Sequence, residues 1–172
     1  VLEVSGIEIL KDGTALIATR RGNVYSVTGA WEDDVSNAQF NLYAQGLQEP
    51  LGLLDHEGWV YVMQRGELSR MRDTRGDGRV DELETVCDLI PISGNYHEYA
   101  FGPRLDGEGN FWVTLNKPFG DEPFGKAHWR GWAARITPDA ETGALLMRAC
   151  AKATVPDSRG RGGPDVDLAR SV

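Results

Sequence analysis

His97 and Glu98 stand side by side in the stretch GNYHEYAFGPRLDGEGNFWVTLN, residues 94–116. A histidine titrates near neutrality, so one placed at the entrance of a strand can act as a general base, with a carboxylate such as Glu98 orienting it. A histidine that only caps a loop by hydrogen bonding is the plainer reading of the same residue. Asn116 closes that stretch, and LNKPFGDEPFGKAHWRGW (115–132) follows as a long connection. Lys117, His128 and Arg130 there, set among Trp129 and Trp132, combine cations with aromatic faces. Such a loop suits an anionic, planar or sugar-like ligand, or alternatively covers a sheet edge. Arg20, paired with Arg21 at the end of an apolar strand, is a further candidate for the same opening.

A second constellation is DTRGDGRVDELE, residues 73–84. Asp73, Asp77, Asp81 and Glu84 occupy positions 1, 5, 9 and 12 of a calcium loop, Gly78 the bend at 6, and Arg79 the backbone-carbonyl position 7. Arg75 puts a cation at position 3, where a donor oxygen belongs. The loop also joins two strands instead of two helices. Two readings stand: a calcium site, or an acidic connector whose Asp side chains hydrogen-bond their own backbone.

The elements that must position these residues repeat. GIEILKDGTALIATRRGNVYSV (6–27), LGLLDHEGWVYVMQRGELSRM (51–71) and YAFGPRLDGEGNFWVTLN (99–116) each read strand, glycine turn, strand; WAARITP (132–138) completes the third unit. The turn glycines Gly13, Gly58 and Gly109 lie 45 and 51 residues apart, the period of a four-stranded propeller blade. Fourth strands are expected at Phe40–Gln45 and Thr85–Ile90. The expectation is an all-β chain: a partial propeller over residues 1–147, with blades over 1–46, 47–93 and 94–147. About three blades do not close a ring of four to eight. Further blades of a longer chain, or another subunit, are therefore expected as partners. Residues 148–172, rich in Gly, Pro, Arg and Asp, read as a poorly ordered tail.

A net charge of -8 argues against binding nucleic-acid phosphates. No apolar run approaches the ~20 residues of a membrane span. Cys87 and Cys150 belong to no CxxC motif and read as buried thiols more readily than as a disulfide.

LIATRRGNVYSV, GLQEPLGLLDHEGWVYV, LSRMRDTRGDGRVDE and YHEYAFGPRLDGEGNFWVTLN together resemble the soluble quinoprotein glucose/sorbosone dehydrogenase-like six-bladed propellers. The likeness is strongest to the membrane-bound dehydrogenase-like proteins of planctomycete-type bacteria. It implies a dehydrogenase that oxidises a sugar or polyol hydroxyl, with pyrroloquinoline quinone (PQQ) as hydride acceptor and His97 as the base. It also implies calcium and a periplasmic or extracellular location. Arg20, Glu98, Asn116, Lys117, His128 and Arg130 would line one mouth of the channel. Most quinone-gripping cations of that family belong to later blades, and the haem-binding CxxCH of many of its members is not in this sequence. A non-catalytic propeller that binds carbohydrate or protein at the mouth is the alternative, and an NHL- or WD-type scaffold with no small-molecule site is a further one.

Overall fold

The structure, a computed structural model, describes residues 2–116 and 129–138 and the strand 145–152; of residues 138 and 145–152 only the backbone is described. Lys117 and His128, and the tail after Lys152, lie outside the described residues.

Among the described residues, twelve strands form three antiparallel sheets, each with its strands in chain order. Blade 1 holds β1 (Val4–Ile9), β2 (Ala15–Thr19), β3 (Val24–Thr28) and β4 (Gln39–Ala44). Blade 2 holds β5 (Leu53–His56), β6 (Trp59–Met63), β7 (Leu68–Arg72) and β8 (Glu82–Cys87). Blade 3 holds β9 (Ala100–Leu105), β10 (Phe111–Leu115), β11 (Trp132–Pro138) and β12 (Leu145–Lys152). This is a partial β-propeller. Its last strand runs past Met147, where the sequence pattern ends, and continues to Lys152. Strand β8 starts three residues before the expected Thr85, because Arg70 and Arg72 on β7 draw Glu84 and Glu82 into cross-strand pairs at 2.6 Å.

The burial patterns follow from the layering. WVYVM in β6 is buried at all five positions, since blades 1 and 3 cover both faces of blade 2. Strand β8, at the outer edge, alternates. Leu16, Ala18 and Val24 of blade 1 pack on Leu53, Val60, Val62 and Met71 of blade 2. Trp59, Tyr61, Met63 and Leu68 of blade 2 pack on Phe111, Val113, Leu115 and Ile136 of blade 3. The Tyr61 and Phe111 rings meet at 4.6 Å.

The inner strands β1, β5 and β9 pack side by side at a hub kept open by glycine. A Cβ on Gly6 would sit 2.9 Å from the Gly52 Cα, and one on Gly52 would sit 2.0 Å from the Gly102 carbonyl oxygen. Three backbones approach this closely only where no side chain intervenes. The spacing of Gly6, Gly52 and Gly102 repeats the blade period, so the hub is written into the repeat.

Among the described residues no helix is long and apolar enough to cross a membrane.

Candidate functional site

Strands β2, β6 and β10 end at one mouth of the hub, where the chain returns toward the inner strands. Equivalent backbone hydrogen bonds fix this end in each blade. The N–H groups of Arg20, Arg65 and Asn116 donate to the carbonyls of Glu3, Gln48 and Tyr99. Each sheet thereby brings the residue that follows its second strand beside the residues that enter its first.

A chain of charges links the three blades here. Arg20 pairs with Glu3 at 3.3 Å and Glu49 at 3.5 Å, and its guanidinium donates to the Tyr99 hydroxyl at 3.2 Å. Arg65 pairs with Glu49 at 3.4 Å and donates to the carbonyls of Glu98 at 3.1 Å and Asn95 at 2.5 Å. Arg130 donates to the carbonyls of Tyr99 and Pro91, both at 2.8 Å, and lies 3.8 Å from the Glu98 carboxylate. Hydrogen bonds from Arg20 and Arg21 hold the Glu3 carboxyl below its ordinary value, and the pairing with Glu3 raises Arg20. Burial pushes Arg130 down; Glu98 opposes that and Arg65 adds to it.

His97 lies half-buried at this end, at the entry of β9. Its backbone is clamped on both sides: its N–H donates to the Asn95 side chain at 3.0 Å, and its carbonyl accepts from Asn116 Nδ2 at 2.6 Å. Asn116 Oδ1 accepts from the Tyr99 N–H at 2.5 Å, so one amide fixes the entry of β9 on either side of Glu98. The His97 and Tyr96 rings lie 3.8 Å apart, tilted by 40°, and Tyr96 is 61 % exposed.

The expected mouth residues thus separate into two kinds. Arg20 and His97 are placed at the opening, with Arg20 43 % exposed in its side chain. Asn116 holds the backbone there. Glu98 and Arg130, both expected at the opening, are buried beneath it instead. Glu98 is 0 % exposed; its carboxylate accepts from the Ser93 N–H at 2.5 Å and the Ser93 hydroxyl at 3.0 Å and faces Arg130, because a buried carboxylate needs donors and an opposite charge.

Arg65, Glu49, Tyr96 and Tyr99 join this end although sequence reasoning did not single them out. A signal for Arg65 existed: Arg-Gly precedes the third strand of every blade, at Arg21-Gly22, Arg65-Gly66 and Arg130-Gly131.

Residues 73–84 lead from β7 into β8 on the outer side of blade 2, where the Val80 N–H donates to the Tyr43 carbonyl of blade 1 at 2.9 Å. The Asp73 carboxylate accepts from the N–H groups of Arg75, Gly76, Asp77 and Gly78 at 2.7–3.3 Å. Burial raises its pKa, but these four donors together bring it below the ordinary value. Asp81 accepts from the Thr74 N–H and hydroxyl, both at 2.8 Å, which lower its pKa. Asp77 Oδ1 accepts from the Arg79 N–H at 3.1 Å. The Arg75 guanidinium sits 2.9 Å from Asp81 and 3.5 Å from Asp77. Glu84 lies within β8 and pairs with Arg70. Among the described residues no three His, Cys, Asp or Glu side chains are grouped to hold a metal ion.

No family model and no curated protein matches the chain. Among solved structures, it is similar to a protein of Thermus thermophilus provisionally assigned as an oxidoreductase, a glucose dehydrogenase, with TM-score 0.61 and 20% identity over 83% of this chain and 50% of that one. It also aligns with a luciferin-regenerating enzyme, with TM-score 0.49 and 11% identity over 87% of this chain and 61% of that one. The chain therefore spans half the length of the first of these proteins and about three fifths of the second. At 20% identity the likeness shows the fold: three consecutive blades of a propeller of the kind found in that oxidoreductase.

Proposed function

We propose that this chain is part of a quinone-dependent sugar or polyol dehydrogenase-like propeller, with His97 as the base that takes the proton of the substrate hydroxyl. The observation that carries the reading is the position of His97. Its backbone is clamped by Asn95 and Asn116 at the mouth where three blades meet, and its ring lies against an exposed tyrosine. A base held this way keeps its position while a substrate hydroxyl is brought to it, as proton abstraction requires.

Two features suit a flat, polyanionic quinone: the exposed Tyr96 ring beside His97 offers an aromatic face, and the Arg20 guanidinium offers hydrogen-bond donors. When bound, PQQ would supply the two-electron acceptor for the hydride leaving the same carbon. Arg20, already paired with Glu3 and Glu49, would offer that group a hydrogen-bond donor and not an uncompensated charge. Asn116 positions the base, and Glu98 with Arg130 supports the floor below it. Lys117 and His128, outside the described residues, enter this proposal only through their place in the sequence after Asn116. The rest of the site belongs to blades beyond these three, and the same reading carries an exported location.

For residues 73–84 we favour the connector over the calcium site. The Asp oxygens are taken up by backbone N–H groups, and Arg75 supplies the cation a metal ion would otherwise bring.

The experiment is dye reduction by the closed propeller that contains these three blades, with PQQ and a panel of aldoses and polyols, for wild type and His97→Ala. The expected result is sugar-dependent turnover that falls at least ~100-fold in the variant, with sugar affinity retained. Sugar binding without turnover in the wild type, unaltered in His97→Ala, would establish the non-catalytic carbohydrate binder instead.

A further inference from the structure

The repeat lets the two interblade clefts be compared position by position at the end of the sheets away from the mouth. Blade 2 turns Trp59, Tyr61, Met63 and Leu68 toward blade 3. Gly13 is equivalent to Gly58 and Gly22 to Gly66, so Thr14, Leu16 and Ala18 of blade 1 stand where blade 2 has Trp59, Tyr61 and Met63. By the same spacing Ser26 and Thr28 match Arg70 and Arg72. The strand registers agree: the row Tyr61, Arg70, Glu84 corresponds to the row Leu16, Ser26, Asn41.

In blade 2 the protein fills this end itself. The Arg70 and Arg72 guanidinium groups lie 4.2 and 4.0 Å from the centre of the Trp59 ring and pair with Glu84 and Glu82. In blade 1 the same places hold small polar side chains, and a cleft of about 470 Å³ opens between them and the β7–β8 loop. Leu10, Leu16 and Tyr43 give the cleft an apolar base. Ser26, Thr28 and Asn41 form one wall, and the loop tip Asp77–Arg79 forms the other. Among the described residues the side chains of Ser26, Thr28 and Asn41 have no hydrogen-bond partner. Burial, with Asp73 and Asp55 adding to it, pushes the Tyr43 phenol up to about 12, so it stays a neutral donor. Blade 1 and the β7–β8 loop of blade 2 build the cleft by themselves.

We propose that this cleft binds a pyranose ring, at a site separate from the mouth. Its size suits one ring with its substituents, since small-molecule sites run from ~300 to ~1,000 Å³. A pyranose has a face of C–H groups and a rim of hydroxyls. The face matches the base of Leu10, Leu16 and the Tyr43 ring, and the rim matches the hydroxyl, amide and guanidinium groups around it. Hydroxyls and an amide both donate and accept, as sugar hydroxyls do. A charged ligand of either sign would meet its like in Asp77 or Arg79. The bulk that Trp59 and two guanidinium groups supply in blade 2 comes, in blade 1, from the ligand. This inference rests on the fold and not on the dehydrogenase reading.

Isothermal titration calorimetry tests it, on the closed propeller that contains these three blades and without PQQ. The probes are the methyl pyranosides of glucose, galactose, mannose and xylose and the oligosaccharides built from each. The expected result is a saturable isotherm at millimolar concentration or below for at least one probe. Thr14→Trp combined with Ser26→Arg carries the blade 2 filling into the cleft and should abolish binding. Asn41→Ala, at an exposed position, should weaken it ~5-fold with an unchanged circular-dichroism spectrum. His97→Ala and Arg20→Ala, both at the mouth, should leave it unaltered. An oligosaccharide that binds tighter than its single unit identifies a glycan chain as the source of the ring, and equal binding identifies a free sugar; both support the cleft. An absence of binding across the panel overturns the proposal, as does binding that survives both cleft changes or is lost with His97→Ala. Turnover plays no part in the readout, so failure here and failure of the dehydrogenase reading are separate results.

Discussion

The mouth of the hub and the loop 73–84 are built from similar side chains, arginines and carboxylates, with opposite logic. At the mouth, partners are remote in sequence: Arg20 reaches Tyr99, 79 residues away, and Arg65 reaches Asn95 and Glu98. In the loop, each Asp is satisfied within seven residues, mostly by backbone N–H groups. The loop is the segment with the recognisable motif, yet its Asp side chains turn inward on the loop itself. The mouth has no linear motif, yet it gathers residues from three blades. A spacing that resembles a ligand shell describes a loop's geometry, whereas a site that serves a ligand depends on elements the motif does not contain.

The largest expected effect lies at the mouth. Glu98→Gln leaves Arg130 buried with no opposite charge, which should lower the unfolding free energy by about 3–5 kcal/mol in urea titration. A loss below 1 kcal/mol would mean that the pair is not buried as described. Arg65→Ala removes the link between Glu49 and two carbonyls of the third blade's entry and should cost about 2 kcal/mol. Hydrogen exchange should then quicken in both Gln48–Pro50 and Asn95–Tyr99, since the residue holds both.

Asp73→Asn should act locally, quickening exchange at Arg75–Gly78 and sparing the blade cores. Its pH dependence has a definite sign. The folded carboxyls of Asp73 and Asp81 lie below their ordinary value of 3.8, so the stability they confer is present above the unfolded value and is lost as pH falls through the folded one. Acid titration of wild type should therefore show a loss below about pH 4 that Asp73→Asn shows less steeply. The smallest change in stability, and the sharpest comparison, comes from Arg75→Asp. Calorimetry should find no calcium binding to wild type at millimolar concentration and measurable binding to the variant, because a donor oxygen then stands where the guanidinium was. Binding to wild type would make the loop a metal site after all.

The fold was legible because its signals are local and repeated. Gly13, Gly58 and Gly109 take positive φ of 88°, 78° and 83° at the hairpin turns, as their Asp-Gly and Glu-Gly contexts suggest. The run WVYVM announces a strand covered on both faces. The start of β8 was obscured because a calcium-like spacing runs across it, while Arg70–Glu84 and Arg72–Glu82 pairing decides where the strand begins. At the mouth, His97, Asn116 and Arg20 were readable from residue type and strand position. Glu98 was readable as important but not as buried, since nothing in its neighbours announces that Ser93 and Arg130 would enclose it. Glu49 is an ordinary acid in a connecting segment until the fold sets it between Arg20 and Arg65.

Everything at the mouth depends on the three inner strands meeting at one hub, and Gly6→Ala tests that most directly. Gly6 does not need the left-handed conformation, so in an uncrowded strand alanine would stabilise the fold by about 0.5–1 kcal/mol. Beside Gly52, where the new Cβ would lie 2.9 Å from a backbone carbon, it should instead destabilise by about 1–3 kcal/mol in chemical denaturation. A variant more stable than wild type would contradict the hub, and with it the convergence of His97, Arg20 and Arg65.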